Sequence, residues 1–278
     1  MAGNAPVVRV VEARRGWAVP DWAEVWRYRD LLYFLVWRDA KVRYRQTLLG
    51  AAWALLQPFA TMLVFSVFFG RLAGLDQRTG DIPYSIYAYA GLLPWIFFSN
   101  AVTSSSASLI GSANLISKVY FPRLIVPLAS VGVGLLDLTI ASGLLVAMLF
   151  YYEIPLTGQI LWTPILLVGL ILAAAGFGIL LAGLTVAYRD FRYVIPFTVQ
   201  LWMFVTPVIY PPSIVPERWR FWLALNPLSG LVEGFRAALL GKAMDVPAIA
   251  LSFGLCAAVC LLGASYFRSV ERQLADVL

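Results

Sequence analysis

"VRYRQTLLGAAWALLQPFATMLVFSVFFG" runs from Val42 to Gly70. It begins with arginines and a tyrosine and passes directly into apolar residues, and the apolar run carries Trp53, Gln57, Pro58 and a file of phenylalanines. From Ala51 to about Gly70 it supplies the roughly 20 mostly apolar residues that cross a bilayer core as a helix. A plain anchor needs only aliphatic side chains. A basic lead-in feeding a span rich in aromatic and kink-forming residues implies a second purpose.

Five more stretches share this character: about Ser85 to Ile110, Ile125 to about Tyr151, about Trp162 to Ala187, Val194 to about Tyr210, and Ala248 to about Phe267. Hydrophobic residues make up 61% of the 278 and charged residues 13%; water-soluble domains hold roughly 45–50% and about 25%. The chain therefore reads as an all-α, polytopic membrane protein with six transmembrane helices. The expected organisation is an N-terminal segment over 1–50, a six-helix transmembrane domain over 51–267 and a tail over 268–278. The first residues lack the apolar region of a signal peptide, so no cleaved signal is expected.

Lys and Arg set the orientation. Arg9, Arg14, Arg15, Arg27, Arg29, Arg38, Lys41, Arg43 and Arg45 precede the first span. Lys118, Arg123, Arg189, Arg192, Arg268 and Arg272 fall on the same side. The other side holds Arg71, Arg78, Arg218, Arg220, Arg236 and Lys242, less than half as many. Both termini are thus expected in the cytoplasm. "LLYFLVW" (Leu31 to Trp37) is too short to span and is flanked by Arg29, Asp30, Arg38 and Asp39. It suits an amphipathic helix at the inner membrane surface, its aromatics at headgroup depth; electrostatic anchoring alone would also account for its basic residues.

"PPSIVPERWRFWLALNPLSGLVEGFRAALLGKAMD" (Pro211 to Asp245) separates the fifth and sixth spans with two short apolar runs. Pro216 suits a helix start, and Asn226-Pro227 parts the runs. A re-entrant external helical hairpin fits, since irregular backbone at membrane depth must face protein or a water-filled cavity.

The chain has no His, which removes His-based metal sites and general bases. Cys256 and Cys260 lie one helical turn apart and read as packing residues. No Walker A pattern is present; "GFRAALLGKA" (Gly234 to Ala243) has the wrong spacing, so any nucleotide-driven step needs a separate subunit. Asp137 is the one clearly intramembrane acid. It either titrates, as in a proton-driven carrier, or is hydrogen-bonded to Thr139, Ser142 or another helix. The acids Asp76, Asp81, Glu153, Glu217, Glu233 and Asp245 are scattered, against a membrane glycosyltransferase; Glu217/Arg220 and Glu233/Arg236 read as i,i+3 helix pairs.

The aromatics form a set: Phe59, Phe65, Phe68 and Phe69 in the first span, Tyr84, Tyr87, Trp95, Phe97 and Phe98 in the second, Phe197, Trp202, Phe204 and Tyr210 in the fifth. Aromatic faces stack on the C–H faces of sugars, by extension of the quadrupole argument; lipid-facing belts and helix packing are the other use. The small-residue stripe Ala174, Gly178, Ala182, and Gly230 with Gly234, let helices approach closely, within one chain or at a dimer seam. Two short charged loops, "GSANLISKVYFPR" (Gly111 to Arg123) and "YRDFRY" (Tyr188 to Tyr193), carry the aromatics and arginines of a docking surface.

Four blocks, "RDAKVRYRQTLLGAAWALLQPFATMLVFSVFFG", "LISKVYFPRLIVPLAS", "YRDFRYVIPFTVQLWMFVTPVIYP" and "LNPLSGLVEGFRAALLG", together resemble the type-2 ABC exporter permeases over about Arg38 to Phe267. The branch is that exporting O-antigen, capsule or teichoic-acid polymers. The resemblance implies an inner-membrane homodimer paired with two ATP-binding cassette subunits. MgATP belongs to those partners, and this chain would hold no cofactor, metal, catalytic residue or nucleic acid. The helix around Leu115 to Tyr120 would be the coupling element, with Leu115, Lys118, Tyr120, Arg123, Arg189 and Asp190 facing the ATPase. The surface helix from about Leu31 to Arg45 would line the way in, where Lys41, Arg43 and Arg45 meet the pyrophosphate of a polyprenyl-linked glycan. The hairpin from Val215 to Leu240 would be an external gate, carrying Trp219, Trp222, Asn226, Pro227, Glu233 and Arg236. The aromatic channel would run along spans one and five of both copies. The competing class is an ATP-independent secondary carrier or lipid flippase using Asp137.

Overall fold

The computed structural model describes residues 22–45 and 50–271, and every regular element among them is helical. Arg9, Arg14, Arg15 and Arg272, and the start of the chain on which the signal-peptide expectation rests, lie outside the described residues. The chain opens with α1 (Trp22–Arg27) and α2 (Arg29–Arg45). α3 (Ala52–Phe65) continues as a π-helix over Ser66–Leu72. Then come α4 (Tyr84–Gly111), α5 (Ala113–Ile116), α6 (Ile125–Tyr151), α7 (Thr163–Ala187) and α8 (Phe191–Val205). The last three are α9 (Glu217–Ala224), α10 (Ser229–Leu240) and α11 (Val246–Val270).

Four helical stretches are long and apolar enough to cross a membrane: Ala52–Leu72, Ile125–Tyr151, Gly158–Ala187 and Val246–Val270. The other two expected spans each meet one requirement. α4 has 28 residues, but its "SNAVTSSSAS" end lowers its apolarity. α8 is apolar but has only 15 residues. It stops at Val205, short of the expected Tyr210, because Thr206 is extended (φ −93°, ψ 141°) ahead of Pro207, as a residue before proline prefers. The short helix of the Gly111–Arg123 loop also differs from expectation: it covers Ala113–Ile116, and Ser117 to Tyr120 lie beyond it. Ser117 bonds back to the Asn114 carbonyl at 3.3 Å, a local bond that competes with helix continuation.

α4 forms the axis of the main core. Its buried side chains, from Tyr84 to Leu109, pack against α6, α7 and α10. α7 and α11 lie against each other through small residues: a Cβ on Gly176 would sit 2.8 Å from the Cys260 backbone nitrogen. The Ala174, Gly178, Ala182 stripe is buried inside this chain, with Gly178 facing Ser105 of α4. Gly230 and Gly234 likewise face Ala248 and Ile249 of α11. A second apolar cluster closes one end of the bundle, joining Val25 and Leu35 of α1 and α2 to Leu109, Phe121, Ile125, Val186 and Phe267. α10 sits towards the opposite end, buried along nearly its whole length. It stops at Gly241, whose φ of +68° is the left-handed cap that glycine adopts without strain. α3 is the exception: only 11% of its apolar window is buried.

Candidate functional site

α2 docks on the body of the protein. Leu35 and Ala40 are buried, and Val36 comes close enough to Gly132 that a Cβ there would overlap it. The opposite face is left open, with Tyr33, Phe34 and Trp37 exposed, as is Trp26 of α1. This packing carries the basic end of α2 to the middle of α6. There the Arg43 guanidinium and the Tyr44 hydroxyl both donate to the carboxylate of Asp137. Asp137 is largely shielded, at 16% side-chain exposure, and Arg43 is at 38%. Burial, then the bond to Asp137 and its charge, push the Tyr44 hydroxyl well above the ordinary tyrosine value. Thr139 and Ser142 bond instead to carbonyls of their own helix. Of the partners expected for Asp137, it is another helix that supplies them. Lys41 stands over the Trp37 ring, 5.3 Å from its centroid, and Arg45 is exposed. The three basic residues are therefore on one helix end, but Arg43 alone is engaged with the bundle.

A cavity of about 410 Å³ opens beside this ion pair, walled by α2, α3, α4 and α6. Arg43, Tyr44 and Asp137 line it with Gln57, Asn100 and Thr103. Trp53 and Phe97 give it flat apolar faces. The amides and hydroxyls of α3 and α4 are site residues that a search for charges and aromatics passes over. Their signal in the sequence is polarity inside otherwise apolar spans, at Gln57 and in "SNAVTSSS".

The aromatic set divides in two. Trp95, Phe98, Phe177 and Trp202 form one edge-to-face cluster, with Trp202 centroids 5.0 to 6.3 Å from the others. Trp95 and Phe98 are buried in the core, so these rings hold α4, α7 and α8 together, while the buried Phe97 packs towards Gly134 of α6. Phe68, Phe197 and Phe204 are exposed by 58%, 61% and 49%, and Phe59, Phe65, Phe69 and Tyr210 are half-buried. Phe65 and Phe69 pair edge to face at 5.5 Å. Only Phe68, Phe197 and Phe204 face outward; Phe59, Phe65, Phe69 and Tyr210 pack against the main core.

At the α10 end, a wholly buried arginine ties the segment after α8 to the core. Arg236 donates to the Tyr87 carbonyl (3.2 Å) and hydroxyl (2.8 Å), to the Pro207 carbonyl (3.0 Å), to the Val208 carbonyl and to Glu233. Its guanidinium also lies 4.0 Å from the Tyr87 ring centroid. Asn226 closes a second tie: its amide donates to Thr206 (2.8 Å), and its oxygen accepts from Trp202 (3.2 Å) and the Leu228 backbone (3.1 Å). Lys242 donates to the Thr79 carbonyl at 3.3 Å, and burial lowers its pKa from the ordinary lysine value. Of the expected gate residues, Asn226, Glu233 and Arg236 join this network. Pro227 is half-buried, and its carbonyl accepts from Cys256 at 3.6 Å. Trp219 and Trp222 stand exposed on α9.

The first charged loop reaches the end of α11. Arg123 donates to the Glu271 carbonyl. Burial raises the Glu271 carboxyl above its ordinary value, opposed by the Arg123 charge. In the second loop the Tyr188 and Phe191 rings lie 6.2 Å apart. Around these anchors Lys118, Tyr120, Arg189, Asp190 and Tyr193 are exposed, while Leu115 turns inward to the α2 cluster.

The family model described as ABC-2 type transporter matches residues 30–240. The chain is 26% identical over 252 residues to the O-antigen export system permease protein RfbA of Klebsiella pneumoniae, covering 90% of this chain and 95% of that protein. A protein of the same name from Myxococcus xanthus is 29% identical over 257 residues, covering 91% and 97%. The polysialic acid transport protein KpsM of Escherichia coli is 24% identical over 211 residues, covering 73% and 78%.

Proposed function

The chain belongs to the ABC-2 type transporter family, in its polysaccharide-export branch, and from that premise we propose that it is the permease of an ATP-driven exporter moving a polyprenyl-pyrophosphate-linked polysaccharide across the cytoplasmic membrane. In this reading α3, α4, α6, α7, α8 and α11 are the six spans. Both termini are cytoplasmic, and α9 and α10 form the re-entrant hairpin on the outer side. Two copies assemble with two ATP-binding cassette subunits, where MgATP is bound and hydrolysed.

The observation that carries the reading is a basic helix end placed beside a bare aromatic span. Lys41 and Arg45 are exposed next to the start of α3, and α3 shows its own chain little more than one face. An apolar, aromatic face that its own chain leaves uncovered serves lipid, a partner or cargo. A second copy opposed across α3 and α8 would enclose Phe68, Phe197 and Phe204 in a conduit. Rings offer a sliding polymer weak contacts repeated along its length. Lys41 and Arg45 would attract the pyrophosphate, Arg45 in fork geometry. The exposed Tyr120, Tyr188 and Tyr193 would dock the ATP-binding subunits, whose closure biases the permease between two states.

The test is double charge reversal, Lys41→Glu with Arg45→Glu, scored by surface polymer and by co-purification of the ATP-binding subunit. Export is expected to stop while the complex still assembles. Wild-type export by this variant would rule out the phosphate role of the helix end.

A further inference from the structure

A second cavity of about 300 Å³ lies between α3, α4 and α8, next to the one beside Arg43, and the two share Gln57, Ile96, Asn100 and Thr103 as walls. Gln57, Asn100, Thr103 and Ser104 in the first, and Ser99 and Gln200 in the second, find no side-chain hydrogen-bond partner among the described residues. Gln57 and Gln200 are exposed, but Ser99, Asn100, Thr103 and Ser104 are half-buried, and partnerless amides and hydroxyls at such positions in apolar helices are costly unless a polar guest or water meets them. Pro58 adds an acceptor to the same wall: it has no N–H, so the Ala54 carbonyl one turn earlier lacks its usual donor. The track is neutral apart from the ion pair at its mouth. Neutral donors and acceptors beside the exposed Trp53 ring suit a polyol ring, and the volume falls in the range of about 300–1,000 Å³ typical of small-ligand sites.

We propose that this track binds the first sugar of the substrate, with Asn100, Gln57 and Thr103 meeting its hydroxyls, and that Asp137 is an internal anion holding the place of the substrate phosphate on Arg43 and Tyr44. The inference rests on the lipid-linked polysaccharide reading above. The donors that converge on the Asp137 carboxylate are those a phosphate oxygen uses, a guanidinium and a hydroxyl. An arriving phosphate takes over Arg43 and Tyr44, and Asp137 remains beside it as a competitor. That competition keeps the complex weak, as a cargo that must move on requires. The amides act on the sugar alone, so they set a preference for glycan-bearing over bare lipid carrier.

The full chain in lipid nanodiscs is titrated with two radiolabelled probes, a polyprenyl diphosphate carrying one hexose and the same diphosphate without sugar. Asn100→Leu and Thr103→Val remove polar atoms at nearly constant volume. Each is expected to weaken the hexose probe up to about ten-fold, the scale of one or two lost hydrogen bonds, and to leave the bare probe unchanged. Asp137→Asn is expected to tighten both probes several-fold. If both polar variants bind the hexose probe as wild type does, or weaken both probes equally, the sugar site is wrong. Weaker binding of the bare probe by Asp137→Asn overturns the internal-anion role. A wild-type chain that binds neither probe defeats the lipid-linked reading itself, and this inference with it.

Discussion

Replacing Arg236 by methionine removes a charge from the most enclosed ion pair among the described residues while keeping an apolar stem of similar length. The guanidinium is completely buried and satisfies five acceptors: two atoms of Tyr87, the Pro207 and Val208 carbonyls, and Glu233. Methionine bonds to none of them. Breaking a buried pair by deleting one partner costs about 3–5 kcal/mol. Glu233 is 31% exposed and recovers some hydration, which places the expected loss near the lower end, about 3 kcal/mol. The assay is equilibrium unfolding of the purified chain in mixed micelles, followed by tryptophan fluorescence. Arg220→Met is the matched control, because Arg220 is 55% exposed and 3.8 Å from Glu217; an exposed pair is worth about 0–1 kcal/mol. If Arg236→Met falls within that same ~1 kcal/mol of wild type, the segment after α8 is not held by this arginine and the account of the α10 end is wrong.

Gly91→Ala tests the same contact from the other side, since its Cβ would overlap the Arg236 guanidinium and the Val208 carbonyl. A loss of about 1–3 kcal/mol is expected, and less than the sum of the single losses when combined with Arg236→Met, read from the double-mutant cycle. Glu271 has a folded pKa raised by burial, so its contribution is present below the ordinary glutamate value and is lost as pH rises through the folded one. Glu271→Gln should therefore show a flatter melting temperature between acid and neutral pH than wild type, and parallel profiles would contradict the burial. Tyr120→Ala, at a side chain 70% exposed, should leave the melting temperature unchanged but reduce recovery of the ATP-binding subunit in pull-downs.

The helices with one dominant signal were legible. Ile125 to Tyr151 falls on its predicted bounds, because twenty-odd apolar residues bracketed by charge and proline allow little else. The breaks at Pro216 and Asn226-Pro227 were also legible, since they act through a fixed φ and a missing N–H. The end of α8 was not: the apolar run continues past Val205, and only the residue before Pro207 marks the stop. The partner of Asp137 was hidden for another reason. The need for one follows from an acid among apolar residues, but Arg43 stands 94 positions away and is brought there by α2 packing on α6. The roles of the rings were hidden likewise. Trp95 and Phe68 look alike in sequence, yet one is a core residue and the other faces outward. Arg236 read as an i,i+3 partner of Glu233 in the external gate, and nothing local announces the four further acceptors that close around it.

The uncovered outer face of α3 has a practical consequence for how variation in this chain is scored. A side chain that its own polypeptide leaves half uncovered contributes little to the melting curve of the isolated subunit, whatever it does in the cell. Changes at Leu63, Val64, Val67 and Phe68, all exposed by about half, would pass a folding screen as silent. Their effects would surface only when the assembled machine is challenged, so that deep mutational maps of stability and of export should disagree most along this one helix.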